Sequence, residues 1–140
     1  MGYIYYKKVL IGGGILKFSK QRELILNAVK DNTVHPTADF IYEYLKKDNP
    51  NLSLGTVYRN LSQLVSHGYI QKVSIPGFPD RFDANIVEHN HLICDVCGSI
   101  QDVHSNILKD IPSTISNELD IKITSCNIIL HGICKKCKSN

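Results

Sequence analysis

His89-Asn90-His91-Leu92-Ile93-Cys94-Asp95-Val96-Cys97 runs two imidazoles, one residue apart, straight into a Cys-x-x-Cys pair. Side chains alternate across an extended strand, so His89 and His91 fall on one face and can grip one ion. The thiol pair has a match near the C-terminus, Cys134-Lys135-Lys136-Cys137. Four thiolates on two Cys-x-x-Cys hooks are the makings of a closed tetrahedral zinc site, which would pin the terminal strand to the start of its domain. A redox role is the alternative, but it wants the parallel α/β pattern of a thioredoxin-like fold, which is missing. The fifth thiol, Cys126, lies in an apolar, strand-like run and reads as an inert buried side chain.

Upstream of this stretch the chain reads as helices. Ser19 can cap a helix through Lys30, with Leu24, Ile25, Ala28 and Val29 as its apolar stripe. After His35-Pro36, Thr37 caps a second helix whose buried side is Ile41, Tyr42, Tyr44 and Leu45. Ser53 caps a third, with Leu54, Val57, Leu61, Leu64 and Val65 on one face and Gly68 just past its end. A strand over Tyr69–Ile75, a turn at Pro76-Gly77-Phe78-Pro79 and a returning strand over Asp80–Asp83 complete a winged helix. Opposite its apolar stripe the third helix should display Thr56, Tyr58, Arg59, Asn60 and Gln63. These side chains can bond base edges or phosphates of duplex DNA, or form an ordinary solvated face.

Downstream, Ser99–Val103 reads as a strand and Asn106–Leu119 as a helix with Ile107, Leu108, Ile111, Ile115 and Leu119 inward. Pro112 should kink that helix or move its start to Ser113. Ile121–Ile133 reads as one or two strands. A β-α-β unit this small leaves apolar faces uncovered, so a homodimer is expected. The fold class is therefore α+β. An N-terminal tail spans residues 1–14, a winged-helix DNA-binding domain 15–83, a hinge 84–88, and a small α/β dimerisation domain with structural zinc 89–140.

Charge and length agree with this division. Residues 1–83 hold 11 Lys and Arg against 7 Asp and Glu, and the remainder 5 against 6, so the basic half is the one expected to meet a polyanion. No apolar run reaches the ~18 residues of a membrane span. The opening segment, broken by Gly12, Gly13 and Gly14, lacks a signal-peptide layout, so the chain is expected to stay in the cytoplasm. The glycine triplet reads as a flexible join; the alternative is translated ribosome-binding sequence, with synthesis beginning nearer Ile15 or Leu16.

A second constellation consists of His35, Asp83, His89, His91 and Asp102. Each alone has an ordinary structural explanation. Together, three imidazoles and two carboxylates make a mixed N/O set that suits Fe²⁺ or Mn²⁺, and also Zn²⁺. A hydrolytic metal centre is the competing reading, but no further carboxylate is evidently placed as a general base. His67, His104 and His131 read as surface or strand residues.

His35-Pro36-Thr37-Ala38-Asp39, Ser53-Leu54-Gly55-Thr56-Val57-Tyr58-Arg59-Asn60-Leu61, Arg81-Phe82-Asp83, His89-x-His91-x-x-Cys94-x-x-Cys97-Gly98 and the terminal Cys134-x-x-Cys137 occur in that order. This ordered set, over about residues 15–138, strongly resembles the ferric uptake regulator family of bacterial metal-dependent repressors. The resemblance implies a homodimer on a double-stranded inverted-repeat operator, with a regulatory metal at the hinge. Within the family the chain looks most like the peroxide-responsive repressors. That likeness implies a regulatory Fe²⁺ or Mn²⁺ site of His35, Asp83, His89, His91 and Asp102, with hydrogen peroxide as signal and His35 and His89 as oxidation targets. An iron-sensing member would more often carry Glu in place of Asp102 and an acidic residue in place of Asn90. Because oxidation consumes the sensor, no enzyme activity is expected. The alternative is an iron-, zinc- or manganese-responsive repressor of the same family.

Overall fold

The computed structural model describes residues 15–139, so the tail expected over residues 1–14 lies outside the description. The chain divides into two compact units between Ile86 and Val87. The first is a winged helix and the second a small α/β unit, together an α+β fold.

Each helix of the first unit starts where the sequence supplies a hydroxyl cap. In α1 (Lys20–Asp31) the Ser19 hydroxyl accepts from the Arg22 N–H at 3.2 Å. In α2 (Ala38–Lys46) Thr37 accepts from Phe40 N–H at 3.1 Å, and in α3 (Leu54–Ser66) Ser53 accepts from Thr56 N–H at 3.1 Å. Each such bond satisfies a donor that the helix leaves without an internal partner, for about 1 kcal/mol. The buried faces, led by Ile25, Ile41, Val57, Leu61 and Leu64, converge on one core.

The apolar faces of α1 and α2 differ in detail from expectation. Leu26 is buried while Leu24 is only partly so. Tyr44, expected inside, is exposed and stacks on Phe40 with ring centres 6.3 Å apart. On so short a helix Ala38, Ile41 and Leu45 fill the core-facing side, and the 40/44 row, four residues apart, forms an outer pair.

The wing is an antiparallel pair, β1 (Gln71–Val73) and β2 (Arg81–Asp83), shorter than the sequence predicts. Its turn places Gly77 at φ 81°, a backbone shape that suits glycine. Buried Phe82 of β2 joins the helical core, and its N–H donates to Pro36 O at 3.0 Å. Thus β2 is bordered by β1 on one side and by the start of the α2 turn on the other.

In the second unit β3 (Asn90–Cys94) is the central strand, antiparallel to β4 (Ile100–Val103) and parallel to β5 (Ile129–Gly132). The crossover from β4 to β5 contains α4 (Asn106–Leu119), and a one-turn helix α5 (Lys135–Lys138), not foreseen from the sequence, follows β5. Pro112 neither delays nor divides α4. Only Ile129–Gly132 of the predicted Ile121–Ile133 strands forms. Ahead of it side chains take the backbone donors: Ile123 N–H meets Ser116 Oγ, Cys126 N–H meets Glu88 Oε1 and Ile128 N–H meets Asn90 Oδ1. Cys126 therefore sits in irregular chain and is half-buried.

The inward face assigned to α4 needs correction. None of its residues is buried; Ile107 is 76% and Leu119 63% exposed. The amphipathic pattern is present, but a three-stranded sheet is too small to cover it. Among the described residues no helix is long and apolar enough to cross a membrane.

Candidate metal centres and nucleic-acid interface

Parallel pairing of β3 with β5 sets Cys94 opposite Gly132, so the hook that follows β5 arrives beside the hook that ends β3. Gly98, at φ 67°, turns the first hook, and its N–H donates to Cys94 O at 2.8 Å. α5 carries Cys137 one turn beyond Cys134. The sulfurs of Cys94, Cys97, Cys134 and Cys137 lie within 4.8 Å of one another, with Cys97 and Cys134 at 3.9 Å. Sulfurs about 2.3 Å from a common tetrahedral centre stand ~3.8 Å apart, so the set fits zinc.

Electrostatics in the cluster favour a divalent cation. The Cys134 N–H, 3.3 Å from Cys94 Sγ, leads the effects that lower the Cys94 thiol to about 6. The Ser99 hydroxyl, 3.2 Å from its sulfur, similarly lowers Cys97. Cys137, next to the Cys134 and Cys97 sulfurs, is pushed up to about 12. Without a cation the last thiol keeps its proton; a tetrathiolate needs the positive charge that zinc supplies. His131, read as a surface or strand residue, lies on β5 and bonds Asp95 of the first hook at 2.8 Å.

The five His and Asp residues divide between the units. In the first unit buried His35 and Asp83 face each other, Nε2 to Oδ2, at 3.4 Å. Asp83 Oδ1 accepts from Asn85 N–H at 2.8 Å, which fixes the carboxylate. In the second unit His91 and Asp102 are direct cross-strand partners. Asp102 Oδ1 lies 3.4 Å from His91 Nε2 and 3.1 Å from His89 Nε2. The His89 and His91 rings meet edge to face, with centres 4.3 Å apart. His89 Nδ1 lies 2.6 Å from Val87 O. A carbonyl only accepts, so Nδ1 is the donor toward Val87, and Nε2, which faces Asp102, is the ring atom left to ligate a metal. Imidazole nitrogens beside carboxylate oxygens, with no thiolate, are a donor set for Fe²⁺, Mn²⁺ or Zn²⁺.

On α3, Tyr58, Arg59 and Gln63 are exposed. Half-buried Thr56 shares a 2.9 Å hydroxyl contact with Ser53, and Tyr58 OH donates to Asp39 Oδ2 at 3.0 Å. That bond raises the Tyr58 phenol above its ordinary value. Asn60 is the correction. Expected on the display face, it is only 6% exposed. Its Oδ1 accepts from Arg22 Nε at 3.0 Å and its Nδ2 donates to Thr56 O at 2.9 Å. Asn60 is spent on joining α1 to α3, and only the position of Arg22 in the folded unit could reveal this. Asn60→Ala should lower stability by about 1–3 kcal/mol, because it leaves the Arg22 donor without its acceptor. A reduced urea midpoint would register the loss, while Gln63→Ala, on the exposed face, should leave the midpoint within about 0.5 kcal/mol of the original.

The sequence profile of the ferric uptake regulator family matches residues 14–137. The peroxide-responsive repressor PerR of Staphylococcus aureus is 33% identical over 123 residues, covering 88% of this chain and 83% of that protein. The Helicobacter pylori ferric uptake regulator Fur, described with three functional metal binding sites, superposes with a TM-score of 0.79 at 25% identity, over 89% of this chain and 84% of that one. The Campylobacter jejuni peroxide stress regulator gives a TM-score of 0.68 at 28% identity, over 84% and 88% of the two chains.

Proposed function

This chain belongs to the ferric uptake regulator family, and we propose that it is a metal-dependent DNA-binding transcriptional repressor that senses peroxide. In this reading Cys94, Cys97, Cys134 and Cys137 hold a structural Zn²⁺, and a homodimer, with the uncovered face of α4 between its copies, binds an inverted-repeat operator in the cytoplasm. Thr56, Tyr58, Arg59 and Gln63 meet the duplex; Asn60 is withdrawn from that set.

The regulatory site is proposed to draw His35 and Asp83 from the first unit and His89, His91 and Asp102 from the second. One ion would then set the angle between the units, a two-state element biased by a ligand. The observation that carries the reading is the pair of preorganised His/Asp half-sites, each within a separate unit. His35, Asp83, His89, His91 and Asp102 would hold the ion, and ferrous iron bound there would supply the redox chemistry for peroxide reduction. His35 and His89 are the oxidation targets: one peroxide oxygen enters a ring C–H, the other leaves as water, and the imidazole gives up two electrons. An oxidised ring is a poorer ligand, so the half-sites part and the operator is released.

The test is operator binding by Fe²⁺- and Mn²⁺-loaded protein before and after brief, low-dose peroxide, with mass spectrometry of the peptides holding His35 and His89. Loss of binding in the ferrous sample alone, with one added oxygen on either peptide, is expected. If both metal forms keep binding and neither peptide gains mass, the protein is instead an iron-, zinc- or manganese-responsive repressor.

A further inference from the structure

His35 has a left-handed backbone, φ 55°, and is followed by Pro36. Both facts oppose the conformation: an L side chain crowds the carbonyl there, and a proline ring pushes the preceding residue toward extended backbone. Something must hold His35 in place. Its carbonyl accepts from Arg81 Nη1 at 3.3 Å, and the next carbonyl, of Pro36, accepts from Phe82 N–H at 3.0 Å. Arg81 and Asp83 are two apart on β2 and share a face. That strand therefore meets His35 twice, Arg81 at its carbonyl and Asp83 at its imidazole.

We infer that Arg81 is a positioning residue for the regulatory metal site: it clamps His35 in the left-handed backbone that sets the imidazole beside Asp83. The inference rests on the metal site proposed above. Without the guanidinium, His35 relaxes toward extended backbone and its ring turns away from Asp83, so a metal ion must reassemble the pair before it can bind. The charge of Arg81 by itself acts in the opposite direction. Deleting a cation near a cation site strengthens metal binding, so the sign of the effect separates the clamp from simple electrostatics.

The experiment is Mn²⁺ titration of the full-length, zinc-retaining protein as wild type, Arg81→Ala, Arg81→Lys, His35→Ala and the Arg81→Ala/His35→Ala double variant. Arg81→Ala should weaken Mn²⁺ binding roughly 10–100-fold, in the range of other residues that orient metal ligands. Arg81→Lys should recover part of the loss, and with Asp83 unchanged the Arg81 substitution should have no further effect once His35 is Ala. Zinc content and circular dichroism should match wild type; if Arg81→Ala fails to fold, the cycle is run with Arg81→Lys. An equal loss in the presence and absence of the His35 ring overturns the clamp. So does unchanged Mn²⁺ affinity with weaker operator binding at saturating Mn²⁺, which would make Arg81 a DNA contact. If His35→Ala binds Mn²⁺ like wild type, the metal-site reading fails and the inference falls with it.

Discussion

Cys134→Ser should leave the first unit folded and the second without a stable structure. The first unit has a substantial apolar core; in the second, Ile93, Cys94 and Ile100 are the buried apolar side chains among the described residues. A four-residue β5 and a helix with no buried residue contribute little hydrophobic stabilisation. A zinc ion on the four thiols would hold together what the core cannot, so loss of one thiolate would become loss of folding. Zinc content should fall to near zero, limited proteolysis should cut within residues 87–139 while residues 15–86 resist, and operator binding should vanish. A protease-resistant, zinc-free second unit would refute the staple.

Acid should reproduce this effect. Folding lowers the Cys94 thiol from its ordinary 9 to about 6. Its thiolate thus contributes stability above pH 9 that is lost as pH falls through about 6. Zinc, which competes with protons for the four thiolates, should be released on acidification.

The second large effect is expected from His91→Ala. His91 is 1% exposed, lies on the central strand and faces Asp102 across the ladder. If the His/Asp set holds the regulatory metal as proposed, removing this imidazole should weaken metal binding by at least about 100-fold, roughly 3 kcal/mol. Operator binding at micromolar Mn²⁺ should disappear with zinc still bound. Because alanine also leaves a cavity, Asp102→Asn, which keeps the side-chain shape, serves as a second variant and should act in the same direction. Wild-type operator binding by both variants at low metal would remove the His/Asp set from regulation.

Much of this protein was legible in its sequence because the signals are local. Ser19, Thr37 and Ser53 each cap a donor three residues on, within reach of any chain that begins a helix there. Each Cys-x-x-Cys hook brings its thiols together over a single turn, and the two-residue spacing of His89 and His91 puts both imidazoles beside Asp102. What the tertiary structure decided depended on partners distant in sequence. Asn60 turned inward because Arg22, 38 residues earlier, supplies a donor. The two hooks met because β5 pairs with β3 in parallel, in one register. The apolar face of α4 stayed uncovered because periodicity tells which residues share a face but not whether a surface exists to receive it. Arg81 lies within the returning strand of the wing; only the fold carries that strand to the His35 carbonyl, 46 residues away.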